Sequence, residues 1–284
     1  YDFRTDSTEL RRGRRLVISS ISTVGNYDYA YYWYLNLDGE IEFEMKATGI
    51  INTSGCTPFS GNKYGTEVAP GVMGHIHQHI FCARLDMAID GKNNLVYECD
   101  TIFESDLDKN PFGNAFFVNE KLLENEGGFK RDEERQRFWK FTSETKKNYM
   151  GTNTAYKLEP SGAVSTFHDE HGPSGKRMGF IFNQMWVTPF EKNERYPAGD
   201  FVNGSDAYEG LPTFVKKNRS IKNKDLICWH VFGLHHLPRL EDYPVQPVVK
   251  TGFKLMPSGF FDKNPAIDLA VEKNASSCKV QQEG

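Results

Sequence analysis

The 284-residue chain has a formal charge of −4 and a pI near 6.1, and its one basic cluster, Arg11-Arg12-Gly13-Arg14-Arg15, is short. That leaves little electrostatic footprint for nucleic acid, and no apolar run approaches the length of a membrane span. At 38% hydrophobic and 13% aromatic, the sequence can bury a sizeable core, enough for one large domain or two ordinary ones.

In chain order, the start Tyr1-Asp2-Phe3-Arg4-Thr5-Asp6 is polar, with neither an initiator Met nor the apolar stretch of a signal peptide. The sequence therefore reads as a piece of something longer or a processed product, and compartment is left open. Leu16 to Ser22 is rich in β-branched residues and predicts a strand. Tyr29 to Leu37 is aromatic and apolar, Asp38-Gly39 follows, and Glu40 to Met45 alternates polar and apolar, which predicts a hairpin. A second hairpin is predicted from His77 to Ile89, through Asp90-Gly91, to Asn94–Glu98. A charged stretch from Asn119 to Gln136 is the one helical candidate, weakened by Gly127-Gly128. Glu159-Pro160-Ser161-Gly162 and Gly172-Pro173-Ser174-Gly175 read as turns or loops, and the tail after Asn274 as frayed. The result is an all-β chain, a large antiparallel β-sandwich.

Cysteine carries little information. Cys56, Cys82, Cys99, Cys228 and Cys278 are odd in number and fit no metal spacing. Glycosylation sequons at Asn52, Asn203, Asn218 and Asn274 arise readily by chance.

Histidine is informative. On a strand, His77 and His79 project to one face, and two imidazoles side by side are half of a metal site. Downstream, Asp225 to His236 offers His230, His235 and His236 as a third ligand. Three neutral imidazoles leave open positions on an ion, the pattern of a reactive site, and imidazole suits copper, zinc or iron alike. Ordinary polar histidines on exposed strand faces are the plain alternative.

Three segments then resemble one family. Thr23-Val24-Gly25-Asn26-Tyr27-Asp28, the run His77-Gln78-His79 with Arg84-Leu85-Asp86, and Phe232-Gly233-Leu234-His235-His236-Leu237-Pro238-Arg239 with Glu241-Asp242-Tyr243-Pro244 resemble the copper amine oxidases, bacterial and fungal branch, in order. The resemblance runs from about Leu16 to Asp268. It implies the C-terminal part of that family's catalytic domain, with the N-terminal domains and the start of the catalytic domain outside the chain. It implies copper(II) on His77, His79 and His236, and Tyr27 as the precursor of topaquinone, the cofactor that forms a Schiff base with substrate. Asn26 would orient the quinone, and Asp28 has no separate step. The implied reaction takes a primary amine and O2 to aldehyde, ammonia and hydrogen peroxide in a homodimer. A second, calcium-like ion is implied at Asp86, Met87, Asp225 and Leu226, with Met87 and Leu226 contributing only main-chain oxygen. The resemblance leaves His235 off the metal, and His75, His168, His171 and His230 are read as structural or exposed, as are Tyr29, Tyr31, Tyr32 and Tyr34 as core aromatics.

Two departures from the pattern stand out. Gln246 replaces a Met found in close relatives, and the family's catalytic Asp falls upstream of this chain, so activity of the chain by itself is left open. Two rivals remain: a three-His zinc or iron enzyme, such as a hydrolase or dioxygenase, explains the histidines but leaves Asn26-Tyr27-Asp28 idle, and an inactive truncation or non-catalytic copper-binding β-sandwich best explains the missing upstream segment.

Overall fold

The computed structural model describes residues 1–6, 8–204 and 209–270, so Cys278 and the tail after Asn274 lie outside the described residues. The chain opens with three antiparallel neighbours, Arg15–Val24 (β1), Tyr27–Asn36 (β2) and Ile41–Gly49 (β3). The hairpin expected at Asp38-Gly39 is present: Gly39 takes φ +84°, and an added Cβ there would lie 2.4 Å from the Phe261 ring. A small sheet of Thr53–Gly55 (β4), Gly65–Ala69 (β5) and Val72–His75 (β6) follows. Then come His77–Met87 (β7), Asn93–Phe103 (β8), Phe116–Leu122 (β9), Gly127–Phe129 (β10), Phe138–Lys147 (β11) and Asn153–Glu159 (β12). Met185–Pro189 (β13), Lys224–His236 (β14) and Gln246–Ser258 (β15) complete the strands.

Twelve strands form one antiparallel ladder in the order β1-β2-β3-β15-β12-β11-β8-β14-β13-β10, with β7 on β14 and β9 on β8. The ladder doubles back at β14, which meets β8 only at Lys224↔Asn94 and Asp225↔Asn93 before running on with β7 and β13. The two halves face each other across one core, in which Tyr27, Phe43, Met45 and Phe253 of the first meet Met87, Phe232 and Leu234 of the second. This is the antiparallel β-sandwich expected. The outer face of β7–β14–β13 is covered in turn: Trp186, Ile227, Trp229 and Val231 pack with Leu211, Phe180, Phe214 and Val215. Buried on both faces, β14 reads as a nearly continuous apolar run, Leu226 to Leu234.

Three expectations are corrected. The turn at Asp90-Gly91 exists, but β7 and β8 do not pair; β7 pairs with β14. The carboxamide of the fully buried Asn94 explains the divergence, because it bonds both backbone groups of Ile89, at 3.0 and 2.9 Å, where a strand partner would have done so. Residues 119–136 are not helical. Their first part is β9 on the edge of β8, and Gly127-Gly128 pair with β13. The segment lacks an apolar stripe of helical period, its charges are met across the ladder, as with Glu120 and Lys140, and a free β8 edge was available. Gly172-Pro173-Ser174-Gly175 is likewise more than a turn: Pro173 opens a short helix, Pro173–Arg177, at the position where its missing N–H costs nothing.

Candidate metal centre

The centre is built on two strand beginnings and one strand end. β1 and β2 are joined by the two-residue turn Gly25-Asn26, with Val24 opposite Tyr27. Gly25 has φ +62°, as the first central residue of a tight hairpin of this hand requires. Tyr27 is therefore the first residue of β2, and it points into the core, 7% exposed. Thr23 and Asp28, the outer letters of the signature, are opposite one another and bond side chain to side chain at 2.6 Å on the outer surface. They secure the turn. Asn26 accepts from the Ile50 N–H through its carbonyl at 2.8 Å, and its side chain is exposed rather than turned onto the imidazoles.

Antiparallel register fixes the histidines. His77 lies directly opposite His236, and His79 opposite Leu234. One ligand nitrogen from each of His77, His79 and His236 lies within 4.8 Å of the others, the one such cluster of three among the described residues. Alternation sends His235 to the opposite face, exposed, against the Phe167 ring at 5.1 Å. His230 lies deep in the core between Phe232 and Phe253, and His168 and His171 are exposed. Of the three downstream histidines that the sequence offers, the geometry selects His236.

Each imidazole is held by its outer nitrogen. His77 Nδ1 meets the His75 carbonyl at 2.7 Å, so that nitrogen carries the proton. His79 Nδ1 meets the Tyr29 hydroxyl at 2.7 Å. His236 Nε2 donates to Asp242 Oδ2 at 3.1 Å. The inner atoms, His77 Nε2, His79 Nε2 and His236 Nδ1, converge, with His77 Nε2 and His79 Nε2 only 2.8 Å apart. An ion held at about 2 Å by each nitrogen suits this donor set, and an outer oxygen fixing each ring is how ligating histidines are normally supported. Burial favours the neutral form of two of the rings: it lowers the His77 pKa and takes that of His79 down to about 4, with the neighbouring imidazoles adding to the shift. Burial pushes the Asp242 carboxyl up, but the Arg239 side chain and backbone N–H and His236 together hold it below its ordinary value.

Tyr27 lies inside this cluster. Its hydroxyl is 2.8 Å from His77 Nε2 and accepts from the Asn52 N–H at 3.2 Å, and its ring centroid is 4.7 Å from that of His79. Burial raises its pKa, and the Asp242 charge adds to this. Tyr29, expected as a plain core aromatic, is also part of the centre; its pKa is pushed up to about 12 by burial and by Tyr27 and Tyr31. A signal for it was present, since Tyr27 and Tyr29 share the two-residue spacing of His77 and His79 and so share a face. Nothing in the sequence alone marked Asp242 or the His75 carbonyl.

Asp86, Met87, Asp225 and Leu226 sit at the far end of the same strand pair, about 30 Å from His77 at strand rise. Leu226 is opposite Met87, Asp86 is exposed, Asp225 is half-buried, and the Asp225 carbonyl accepts from the Phe190 N–H at 2.8 Å.

The family model described as copper amine oxidase, enzyme domain, matches residues 1–276. The chain belongs to the copper amine oxidase family. It is 42% identical over 273 residues to the primary amine oxidase of Arthrobacter sp. (strain P1), covering 95% of this chain and 42% of that protein. It is 44% identical over 265 residues to the histamine oxidase of Arthrobacter globiformis, covering 93% of this chain and 39% of that protein. Among solved structures, the copper-containing benzylamine oxidase from Hansenula polymorpha superposes with a TM-score of 0.90 at 34% identity, over 95% of this chain and 43% of that one. The chain thus spans about two-fifths of the length of these relatives. The family implies copper and topaquinone, and the three-imidazole cluster beside a tyrosine is compatible with both.

Proposed function

We propose that this chain carries the metal and cofactor half of the active site of a primary-amine oxidase, which converts a primary amine and O2 to aldehyde, ammonia and hydrogen peroxide. The observation that carries this reading is the Tyr27 hydroxyl 2.8 Å from His77 Nε2, within a cluster of three imidazoles. His77, His79 and His236 would hold copper(II), and the Tyr27 ring would become topaquinone. Copper with O2 supplies the oxidation of that ring, and the quinone supplies an electron sink for the amine.

The rest is done by the chain's own residues. The His75 carbonyl, Tyr29 and Asp242 orient the three rings and leave their inner nitrogens unprotonated. The Asn52 N–H holds the Tyr27 oxygen, and the Gly25-Asn26 turn, tied to Ile50, fixes where that ring begins. Asn26 acts on cofactor orientation through this backbone anchor. A raised phenol pKa keeps Tyr27 protonated until an ion is present to favour the phenolate. A calcium-like ion at Asp86, Met87, Asp225 and Leu226, and assembly as a homodimer, belong to the same proposal; oxygen-only ligation suits a hard cation.

Metal analysis and phenylhydrazine staining of the full natural protein test the reading. Tyr27→Phe should abolish quinone staining and amine oxidation with copper content largely intact, because phenylalanine lacks the oxygen at which ring oxidation starts. His77→Ala should abolish both copper binding and staining. A Tyr27→Phe protein that still stains and still oxidises amines would make Tyr27 an ordinary core aromatic; zinc or iron in place of copper would favour the hydrolase or dioxygenase rival.

A further inference from the structure

Gln246 is buried, 3% exposed, and its carboxamide oxygen has no hydrogen-bond partner. A buried unpaired acceptor is costly to a fold, and groups of this kind ask for a ligand the protein alone does not supply. Its place gives that ligand a location. Gln246 is the first residue of β15 and lies opposite Gly49 of β3, which in turn lies opposite Tyr27 of β2. Residues in register across an antiparallel sheet project to one face, so Gln246 and Tyr27 point to the same side. Two strand spacings, about 10 Å, separate their backbones. Gly49 between them lies close against β2, where an added Cβ would come 2.6 Å from the Asn26 carbonyl oxygen, so the strands that carry Gln246 and Tyr27 are held together there by backbone alone. The backbone of Gln246 is also fixed: its carbonyl accepts from Thr48 Oγ1 at 2.9 Å. On its other side, the segment from His236 to Gln246 wraps the cluster, with Asp242 turned back onto His236. Neither a core aliphatic nor an exposed polar residue stands here, but a buried carboxamide in register with Tyr27.

We propose that Gln246 is a positioning residue of the metal centre, whose carboxamide oxygen accepts a hydrogen bond from a water or similar protic ligand at the ion's open position. Three imidazoles leave such a position, and a metal-bound water is a strong donor. This rests on the copper reading above.

The test uses the copper-loaded full natural protein and reads the exchange of metal-bound water by proton relaxation dispersion, alongside copper content and the Cu(II) paramagnetic resonance spectrum. Gln246→Met keeps an unbranched side chain of similar length, so the core stays filled, but removes the acceptor. It should bind copper as the parent does and exchange its bound water about fivefold faster, the worth of one ordinary hydrogen bond. Gln246→Glu keeps an oxygen at the same place and should exchange as slowly as the parent. Exchange within twofold of the parent in the Met variant, exchange in the Glu variant as fast as in the Met variant, or loss of copper from the Met variant would each overturn the assignment. If the parent binds no copper at all, the metal reading fails first and takes this proposal with it; if the parent binds copper and only the exchange rates disagree, the metal reading stands and Gln246 alone is released.

Discussion

Two buried polar clusters in this fold make opposite use of the same materials. In one, Arg219 forks onto the Glu126 carboxylate at 2.9 and 2.6 Å and reaches Glu194 at 2.9 Å, while Lys217 caps Glu194 at 2.7 Å. Cations there meet carboxylates, with Arg219 Nη1 alone left without a hydrogen bond, 3.6 Å from Glu191, and the contacts tie Glu126, beside β10, to the segments around Glu194 and Arg219. In the other, His77, His79 and His236 turn one nitrogen each toward a common point, with His77 Nε2 and His79 Nε2 at 2.8 Å and the Tyr27 hydroxyl 2.8 Å from His77 Nε2. Paired opposite charges hold loops together; convergent imidazole nitrogens are a donor set for a cation.

The largest expected effect comes from opening the charged cluster. The Glu126 side chain is fully buried, so Arg219→Ala would leave its carboxylate without a counter-charge on that side, held only by the backbone N–H of residue 219. Breaking a buried pair from one side costs about 3–5 kcal/mol. Denaturant unfolding should show a loss of that order, of equal size with and without copper. A loss that copper reverses would mean the two clusters are coupled and the contrast is false.

His230 lies between the two types. Its Nδ1 meets the Gln184 carbonyl at 2.9 Å, its Nε2 has no partner, and burial lowers its pKa to about 4. The folded pKa is thus below the unfolded value near 6.5, so below about pH 6.5 the unfolded chain takes up the proton first and stability falls as pH drops towards 4. The full shift is worth roughly 3 kcal/mol at the acid end. In His230→Phe the slope of unfolding free energy against pH between about 6.5 and 4 should flatten by that amount; an unchanged slope would show that His230 is charged in the fold, with a partner the geometry does not give it.

How much of this was legible in the sequence depends on range. Alternation alone placed His77 and His79 on one face. The turns at Asp38-Gly39 and Asp90-Gly91 were readable too, because glycine and aspartate act locally. Whether strands flanking a turn then pair was not readable, since the Asn94 side chain decided it for β7 and β8 by taking both backbone groups of Ile89. The helical reading of residues 119–136 failed for a related reason: charge pattern is local, while the vacant β8 edge that recruits the segment is built by distant chain. The choice of His236 over His230 and His235 needed the family resemblance at the sequence level and needs only register in the structure. Asp242 reaches His236 through a chain reversal after β14, and no spacing rule announces that.

The outer oxygens of the imidazole cluster can be ranked by chemistry. Asp242 offers His236 a carboxylate held ionised by Arg239, and such charged partners of ligating histidines are worth about 10–100-fold in metal affinity. Asp242→Asn should weaken copper binding within that range, read by competition with a chelator, and leave the Arg219 cluster untouched. A copper affinity equal to the parent's would show that Asp242 serves the Arg239 turn alone.

Tyr29→Phe is the smaller and more discriminating change. With an ion on Nε2, the proton of His79 must sit on Nδ1, and the Tyr29 oxygen at 2.7 Å is its acceptor. Phenylalanine fills the same space in the core and strands that one donor. Hydrogen bonds to a neutral oxygen are about half as strong as those to a carboxylate, so copper affinity should fall by about fivefold, less than in Asp242→Asn. The metal-free protein should lose less, because an unmetallated His79 is free to place its proton on Nε2 and point it at His77. The ordering is the test. A Tyr29→Phe protein that binds copper as tightly as the parent, or whose loss of stability is the same with and without copper, would mean that Tyr29 supports the fold rather than the ligand, and that the Asp242 carboxylate and the His75 carbonyl alone hold the imidazoles of this centre.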